Sequence, residues 1–354
     1  MSDGFYPLQV NDTQIQCDGA AKSLAFEVPE SLRETFSWRP GQHITLRFTL
    51  KGEEHRRSYS ICASALAGEP LSITVKRVPL GIVSNHINDT VKAGDEIEVM
   101  PPFGSFCLDA NEKERRTLYF FGAGSGITPL YAMIHSALCA EPYSQCHLVY
   151  GSKNEKDILL QDALEALIAQ YGGRLSVDHV LSEQSLFSAF KPWRTGRVDQ
   201  AAIDALIEEK PPYAQDAQYF VCGPGIMNAD VKAALLVRDV PANRIHMESY
   251  GGTAEPDLSV KGISATIDVT MNGITTQIPV GENQTLLEAA RAAGLNSKFS
   301  CQSGVCGACR ARLESGKVHM RARMALEDDE IDAGAVLTCQ AVALTPELKI
   351  EFER

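Results

Sequence analysis

Short runs of alternating hydrophobic and polar residues fill the N-terminal part of the chain, from Phe5 to about Met100. Runs such as HITLRFTL and LSITVKRV place every second side chain on one face, as a half-buried strand does, and turn-forming residues such as RPGQ separate them. Regularly spaced short strands of this kind predict an antiparallel β-barrel.

The pattern changes between about Arg115 and Tyr250. Continuous apolar runs, including TLYFFG and AQYFVCG, alternate with amphipathic segments such as LLQDALEALIAQY. Strands that are hydrophobic on both faces and alternate with helices predict a doubly wound α/β domain with a parallel sheet.

A polar stretch, GGTAEPDLSVKG, follows and is typical of a linker, although an ordered segment packed on its neighbours is the alternative. After about Ile263, two strand-like runs, a helix at LLEAARAAG and a cysteine-containing loop predict a small β-grasp domain. We therefore expect a multidomain chain. The predicted boundaries are 1–112 for the β-barrel, 113–250 for the α/β domain, 251–262 for the linker and 263–354 for the β-grasp domain.

Composition narrows the possible functions. The chain has 354 residues, more than one hydrophobic core usually supports, and a formal net charge of -12. The acidic charge argues against nucleic-acid binding, and no apolar run is long enough to insert across a bilayer. Ten cysteines without a signal peptide or a dense disulfide framework favour a reducing, cytoplasmic location, where clustered cysteines usually bind metal.

Four of these cysteines carry the strongest chemical signal. Cys301, Cys306, Cys309 and Cys339 have the spacing C-x4-C-x2-C-x29-C, with three thiols on one loop and the fourth on a separate segment. This is the ligand pattern of a plant-type [2Fe-2S] cluster, and the small residues between the thiols let the backbone approach a cluster closely. Structural zinc is a weaker alternative, because it usually takes two C-x2-C pairs and only one is present.

A glycine-rich loop follows the first apolar strand of the α/β region and precedes a predicted helix. Its residues are Gly122, Ala123, Gly124, Ser125, Gly126, Ile127, Thr128 and Pro129. A glycine loop between a strand and a helix favours binding of a dinucleotide pyrophosphate, with a purely structural tight turn as the alternative. The spacing G-x-G-x-G-x-x-P differs from the usual G-x-G-x-x-G.

Cys222, Gly223 and Pro224 follow the last apolar strand of the same region. Because parallel sheets bind ligands at the carboxyl ends of their strands, Cys222 is placed to face the reactive end of a dinucleotide. A lone buried cysteine is more often a packing residue.

The order of these motifs resembles that of the ferredoxin-NADP reductase superfamily. The motifs are Arg57-Ser58-Tyr59-Ser60, Gly81-Ile82-Val83-Ser84, the glycine loop and Cys222-Gly223-Pro224. With the cysteine pattern appended, the whole chain is similar to the reductase components of multicomponent oxygenases such as phenylacetyl-CoA epoxidase. The resemblance implies an NAD(P)H-dependent oxidoreductase that passes electrons through FAD and a [2Fe-2S] cluster to a terminal oxygenase or another acceptor protein.

The resemblance also implies roles at the flavin. Arg57 and the 81–84 turn would bind the FAD pyrophosphate, a group that FMN lacks. Tyr59 would stack on the flavin, and Ser60 would hydrogen-bond near its N5 atom. Val75 and Lys76 would lie along the cofactor, although Lys76 as a solvated charge is the alternative.

Other implied roles concern hydride transfer. Thr128 would contact the nicotinamide, and Cys222 would shape the hydride-transfer pocket rather than act as a nucleophile, since the motif supplies no general base. Glu248 and Tyr250 occupy the positions of an acid and an aromatic residue near the flavin; family members often have Phe at the aromatic position.

Nucleotide preference rests on the residues after the run CHLVYG. Ser152 and Lys153 offer a hydroxyl and a cation without an adjacent acid, which suits the 2′-phosphate of NADPH. Alternatively, Lys153 is a solvated charge and the nearby Glu155 serves NADH.

Charges of both signs lie in and after the cysteine loop. They are Arg310, Arg312, Arg321 and Arg323, followed by Glu327, Asp328, Asp329 and Glu330. One hypothesis is that the acidic run steers a basic acceptor protein, and the alternative is that all eight are ordinary solvated charges.

Two other functions stay open. One alternative is a reductase that serves a Rieske oxygenase, a desaturase, a steroid hydroxylase or a hybrid-cluster protein. The other, which the intact motifs argue against, is a redox-sensing binding module whose flavin domain is degenerate. The sequence has neither an H-x-x-x-H metal pattern nor a Rieske C-x-H pair. The substrate that is finally oxidised therefore belongs to the partner.

Overall fold

The structure is a computed structural model that describes residues 4–184, 188–213, 216–249, 256–326 and 328–352, apart from the side chain of Asp329. These residues form two compact units, one built almost entirely from residues 5–249 and the other from residues 256–352.

Six strands form the N-terminal sheet, in the order β4-β3-β6-β1-β2-β5. They are β1 (Tyr6–Gln16), β2 (Ala21–Glu27), β3 (His43–Leu50), β4 (Glu53–Ser60), β5 (Ser72–Lys76) and β6 (Glu96–Phe103). An antiparallel bridge from Ile61 to Ile73 joins the two edges of the sheet. The closed sheet confirms the predicted barrel.

The barrel core shows the period of two that the sequence predicts. Alternate residues of β1, β2, β5 and β6 enter this core, namely Leu8 and Val10, Leu24 and Phe26, Ile73 and Val75, and Ile97 and Val99. A helix, α1 (Ile82–Thr90), lies between β5 and β6 and buries Val83 and Ile87 in the same core. The segment 81–84, which the sequence analysis treats as a turn, is thus the N-cap and first turn of a helix.

The second sheet is parallel and has the order β10-β9-β8-β7-β11-β12. Its strands are β7 (Thr117–Ala123), β8 (Gln145–Ser152), β9 (Leu175–Leu181), β10 (Arg194–Thr195), β11 (Ala217–Gly223) and β12 (Ile245–Ser249). Its helices are α2 (Ile127–Ala140), α3 (Gln161–Tyr171), α4 (Gln200–Glu209) and α5 (Gly225–Val237). The chain moves outward from β7 to β10 and then returns to β11, so the strand order reverses between β7 and β11.

Alternate residues of these strands enter different cores. Phe120, Leu148 and Phe220 pack in one cluster with α2 and α3, whereas Phe121 and Val221 pack in another that includes residues of α4 and α5. Burial of both faces explains the continuous apolar runs and confirms the doubly wound α/β prediction.

The C-terminal unit contains a five-stranded sheet in the order β14-β13-β19-β15-β17 and a two-stranded sheet of β16 and β18. The strands are β13 (Ala265–Met271), β14 (Ile274–Val280), β15 (Arg310–Ser315), β16 (Val318–Met320), β17 (Ala335–Leu337), β18 (Ala341–Ala343) and β19 (Glu347–Phe352), with helices α6 (Leu286–Ala292) and α7 (Asp328–Asp332). Thr285 and Glu288 form a capping box at α6. The fold class is the predicted β-grasp; the boundaries given above for the individual domains stay predictions.

Candidate functional site

The structure brings three of the predicted residues together at the carboxyl edge of the parallel sheet. Cys222 on β11 is the register partner of Gly122 on β7 and of Glu248 on β12. These positions flank the point where the strand order reverses, which is where open α/β sheets bind nucleotides.

Glycine is needed at positions 124 and 126 of the loop for two different physical reasons. Residues Gly124–Gly126 form a 3₁₀ turn that continues directly into α2. A Cβ atom on Gly126 would lie 1.9 Å from the carbonyl oxygen of Cys222, so the approach of β11 requires glycine there. Gly124 has a φ of +54°, and a Cβ on it would meet nothing within 4 Å. Gly124 therefore leaves the open space that a pyrophosphate needs.

A tyrosine that the sequence analysis missed fixes this loop. The fully buried Tyr150 of β8 donates a hydrogen bond to the carbonyl of Gly124 over 3.0 Å and accepts one from the backbone N–H of Leu159 over 3.2 Å. Burial raises the pKa of its hydroxyl, which stays protonated and can donate. The sequence did contain a sign of this role, because Tyr150 places a hydroxyl inside an apolar strand. A buried tyrosine hydroxyl usually has a hydrogen-bond partner.

Thr128 also stabilises the loop. Its hydroxyl donates to the carbonyl of Ser125 over 2.9 Å, and its side chain is buried at the start of α2. A contact between Thr128 and a nicotinamide stays a prediction.

The residues around the end of β11 are closely packed. The side chain of Cys222 is buried in the core that contains Phe120 and Phe220. A Cβ on Gly223 would lie 2.6 Å from the terminal methyl carbon of Met227, and Pro224 is the N-cap residue of α5. The shaping role of Cys222 in a hydride-transfer pocket stays a prediction.

Glu248 is half-buried on β12, and the amide of Asn228 on α5 donates to its backbone carbonyl and to the hydroxyl of Ser249, each over 2.9 Å. Asn228 thereby holds the end of β12 beside α5. Tyr250 lies outside the described residues.

The residues predicted to select the nucleotide lie at the end of β8. Ser152 is buried, and its carbonyl accepts a hydrogen bond from the N–H of Ser182 over 3.0 Å. The carbonyl of Lys153 accepts a hydrogen bond from the N–H of Glu183 over 2.7 Å. Lys153 is exposed. Glu155 accepts a hydrogen bond from the hydroxyl of Ser188.

The four motif residues of β4 differ in exposure. Ser60 is buried, Ser58 and Tyr59 are half-buried, and Arg57 is exposed with a hydrogen bond of 2.7 Å to the carbonyl of Arg56. The exposed guanidinium of Arg57 is accessible to a phosphate, whereas Ser60 is buried at the end of β4.

The start of α1 provides backbone N–H groups. Gly81 is its N-cap residue, and a Cβ there would lie 2.5 Å from the hydroxyl oxygen of Ser84. The hydroxyl of Ser84 accepts a hydrogen bond from the N–H of Val78 over 3.2 Å. This bond stabilises the loop between β5 and α1. A tight loop before a helix N-terminus fits a diphosphate.

Val75 and Lys76 precede this loop and behave differently from each other. The side chain of Val75 is buried in the barrel core, whereas the half-buried Nζ atom of Lys76 lies 3.8 Å from Oδ1 of Asp157. Lys76 is therefore an ion-paired residue.

The four cysteines form two pairs. The hydrogen bond from Cys306 lowers the pKa of Cys301 to about 5, and the hydrogen bond from Cys339 lowers the pKa of Cys309. The pKa values of Cys306 and Cys339 are raised by the same two interactions. A [2Fe-2S] cluster takes two protein ligands at each iron, which suits two adjacent thiol pairs. No three His, Cys, Asp or Glu side chains in the described ranges surround a single-ion site.

The loop between the cysteines requires unusual backbone angles. Gln302, Gly304 and Gly307 all have positive φ values, and a Cβ on Gly304 would lie 2.8 Å from the carbonyl oxygen of Ala322. The segment that contains the fourth cysteine holds the loop from outside. Gln340 donates to the carbonyl of Gln302, and Thr338 donates to that of Cys309, each over 2.8 Å.

Part of the predicted charge cluster is internally paired. Arg310 pairs with Glu330, and Arg323 lies 3.3 Å from Asp328. Arg321 donates to the carbonyl of Asn283, and Arg312 is exposed. Glu327 and the side chain of Asp329 lie outside the described part of the chain.

Three family models match the sequence in the order of the three folds. They are an oxidoreductase FAD-binding domain at residues 9–107, an oxidoreductase NAD-binding domain at 120–233 and a 2Fe-2S iron-sulfur cluster binding domain at 269–344.

Two curated relatives align over nearly the whole chain. A 1,2-phenylacetyl-CoA epoxidase subunit from Escherichia coli (strain K12) is 33% identical, covering 99% of this chain and 98% of the relative. The ferredoxin reductase component of 3-ketosteroid-9-alpha-monooxygenase from Rhodococcus rhodochrous is 35% identical, covering 94% and 92%. Among solved structures, phthalate dioxygenase reductase is 24% identical with a TM-score of 0.60, covering 99% of this chain and 98% of its own.

The fold and the site define an NAD(P)H-dependent oxidoreductase with flavin and [2Fe-2S] domains. The chain belongs to the ferredoxin-NADP reductase superfamily, among the reductase components of multicomponent oxygenases that carry a C-terminal plant-type ferredoxin domain. Its function is to pass electrons from NAD(P)H, through FAD and a [2Fe-2S] cluster, to the terminal component of such a system. No helix in the described ranges is both long and apolar enough to cross a membrane.

Proposed function

We propose that this reductase supplies electrons to the oxygenase of a phenylacetyl-CoA epoxidase. The observation that carries the proposal is the end-to-end similarity to the epoxidase protein of Escherichia coli, which includes all three domains in the same order. A 3-ketosteroid-9-alpha-monooxygenase is the second candidate, since its reductase component is 35% identical.

For FAD, we assign the phosphates to Arg57 and to the backbone N–H groups of the 81–84 segment. An exposed guanidinium binds phosphate bidentately, and the N-terminus of α1 presents backbone N–H groups that suit an anion. Tyr59 is assigned to the ring system, and the buried Ser60 to the edge near N5. Both side chains come from one strand, so the barrel fixes their separation.

For the dinucleotide, we assign the pyrophosphate to the Gly122–Gly126 loop and the nicotinamide side to Cys222 and Glu248. The support is the open space at Gly124 and the register of the three strands. The side chain of Cys222 is fully buried, so it would bound the nicotinamide side of the site from within the core. When bound, the flavin accepts a hydride and releases single electrons, which is why it stands between the nicotinamide and the cluster.

For the cluster, we assign one iron to Cys301 and Cys306 and the other to Cys309 and Cys339. The support is the pairing of the thiols and the depressed pKa of one member of each pair, because the thiolate is the ligand form. The preference for NADPH, from Ser152 and Lys153, stays a prediction. A selective loss of efficiency with NADPH in Lys153→Ala supports it, and equal or better efficiency with NADH in the wild type contradicts it.

Reconstitution tests the proposed acceptor. The purified reductase is mixed with the oxygenase component of a phenylacetyl-CoA epoxidase or of a 3-ketosteroid-9-alpha-monooxygenase, and substrate-dependent NAD(P)H oxidation is measured. We expect coupled turnover with phenylacetyl-CoA, with ferricyanide reduction as the control for the flavin half. Turnover with the steroid system alone favours the second candidate, and ferricyanide reduction without either turnover rejects both.

A further inference from the structure

One ion pair connects the barrel to the segment after β8. Lys76 is the last residue of β5, and Asp157 ends the short 3₁₀ helix Glu155–Asp157 that follows β8. The two charged groups are 3.8 Å apart, and their side chains are only 31% and 24% exposed. Because both are largely removed from water, solvent screens this pair less than an exposed one.

Asp157 is held on its other side by the segment itself. The amide of Asn154 donates to Oδ2 of Asp157 over 2.8 Å, and Oδ1 of Asn154 accepts from the N–H of Lys156 over 2.9 Å. The N–H of Asp157 also donates to the carbonyl of Asn154 over 3.2 Å. The carboxylate therefore links Lys76 to the backbone of residues 154–157.

This segment adjoins both halves of the proposed dinucleotide site. Lys153, at its start, follows the end of β8 directly. Leu159, just after it, donates through its N–H to the hydroxyl of Tyr150, which in turn donates to the carbonyl of Gly124 in the glycine loop. A displacement of the segment would be transmitted to the predicted 2′-selective residue and to the pyrophosphate loop.

We propose that Lys76 and Asp157 are positioning residues for the pyridine nucleotide: the pair fixes the 153–157 segment against the barrel and thereby sets the affinity for NAD(P)H. The inference rests on the proposed dinucleotide site. It gives Lys76 a role that differs from contact with the flavin. Loss of this partly buried pair is expected to weaken nucleotide binding about fivefold. That factor corresponds to the upper end of the free energies measured for exposed ion pairs.

A matched control joins the same short helix, Glu155–Asp157, to another part of the barrel. The turn between β1 and β2 contributes Asp18, which lies 4.0 Å from Lys156, and these side chains are 81% and 74% exposed. An exposed pair at this distance is expected to contribute almost nothing. Asp18→Asn removes one negative charge from this junction just as Asp157→Asn does, so it controls for net charge.

The test compares holoenzyme variants. For wild type, Asp157→Asn, Asp18→Asn and Lys76→Met, binding of NADP⁺ and NAD⁺ to the oxidised protein is measured by titration calorimetry, and kcat and KM are measured with ferricyanide. FAD content and the melting temperature are recorded for each protein. We expect Asp157→Asn to raise both the Kd and the KM about fivefold while kcat changes less than twofold, and Asp18→Asn to change none of these values.

The charge-swapped protein Lys76→Asp with Asp157→Lys distinguishes an ion pair from a general loss of packing, and we expect it to recover at least half of the lost affinity. Wild-type Kd and KM in Asp157→Asn overturn the proposal, as does an effect of equal size in Asp18→Asn. Loss of FAD in Lys76→Met together with unchanged nucleotide binding in Asp157→Asn assigns Lys76 to the flavin instead. If the wild type binds neither nucleotide, the proposed dinucleotide site fails, a result separate from any variant effect.

Discussion

The glycine loop at 122–126 and the cysteine loop at 301–309 are both short, glycine-containing segments, yet they are held in different ways. The glycine loop runs from a buried strand into α2, and Tyr150 fixes it from the neighbouring strand. The cysteine loop contains no regular secondary structure, and it is held by hydrogen bonds from the side chains of Thr338 and Gln340 and from the backbone N–H groups of Ala325 and Thr338.

The two loops differ in whether they acquire their shape before or after the ligand or metal binds. The glycine loop is a consequence of packing in the sheet, so the proposed dinucleotide site should exist before the ligand binds. The cysteine loop has positive φ at three positions and few internal supports, so metal–thiolate bonds are expected to contribute much of its stability. Perturbation of the two loops should therefore give separable effects.

The largest effect is expected from Cys339→Ala. Removal of one of four ligands should abolish the EPR signal of the reduced cluster and lower the stability of the C-terminal unit, because the loop loses its metal bonds. NAD(P)H-dependent reduction of ferricyanide should persist, since the barrel and the α/β domain are untouched. Cys139→Ala, at an exposed position, is the matched control and should change neither signal. An intact cluster signal in Cys339→Ala contradicts the ligand assignment.

The next effect is expected from Gly126→Ala. The new Cβ would lie 1.9 Å from the carbonyl oxygen of Cys222, so β7 or β11 must move, at a cost of about 3 kcal/mol in unfolding free energy. Flavin reduction by NAD(P)H should fall at least tenfold while the cluster EPR signal stays intact. Gly173→Ala has open space around its Cβ and serves as the control. Normal reduction kinetics in Gly126→Ala would show that the loop adapts more easily than its packing indicates.

A smaller effect should appear in the pH dependence of the α/β domain. Burial, assisted by Lys210, lowers the pKa of His147 to about 4, and burial also lowers the pKa values of His179 and His246. Below an unfolded pKa of about 6.5 the unfolded chain binds protons that the folded chain does not, so stability is lost as the pH falls from 6.5 toward 4.

For His147 alone the loss between pH 7 and pH 5 is expected to be about 2 kcal/mol. Urea unfolding at pH 7 and pH 5 measures it, and His147→Gln should reduce the difference between the two values. An unchanged slope in His147→Gln would show that other groups carry the pH dependence.

The smallest effect concerns the acidic run after the cysteine loop. Conversion of Glu327, Asp328, Asp329 and Glu330 to their amides should slow reduction of a basic acceptor protein about twofold to threefold, mainly through the association rate and most clearly at low salt. The effect is expected to be modest because Asp328 and Glu330 already pair with arginines. Ferricyanide reduction should not change. Acceptor reduction equal to that of the wild type at every ionic strength removes the run from the docking surface.

The sequence by itself determined the fold class and the kind of chemistry, because both depend on local patterns. A period of two predicted the barrel, continuous apolar runs predicted the parallel sheet, and the spacing of Cys301, Cys306, Cys309 and Cys339 predicted the cluster. The order of motifs indicated the family. In each case, the information lies in neighbouring residues or in spacing along the chain.

The groups that support these motifs became visible in the folded structure alone. The need for glycine at 126 arises from the carbonyl of Cys222, the fixing of Gly124 comes from Tyr150, and Lys76 meets Asp157 from a different domain. Likewise, the 81–84 segment became the start of a helix because Val83 and Ile87 pack into the barrel. Contacts between residues far apart along the chain leave no periodic signal in a single sequence, since their distances are set by how the strands pack.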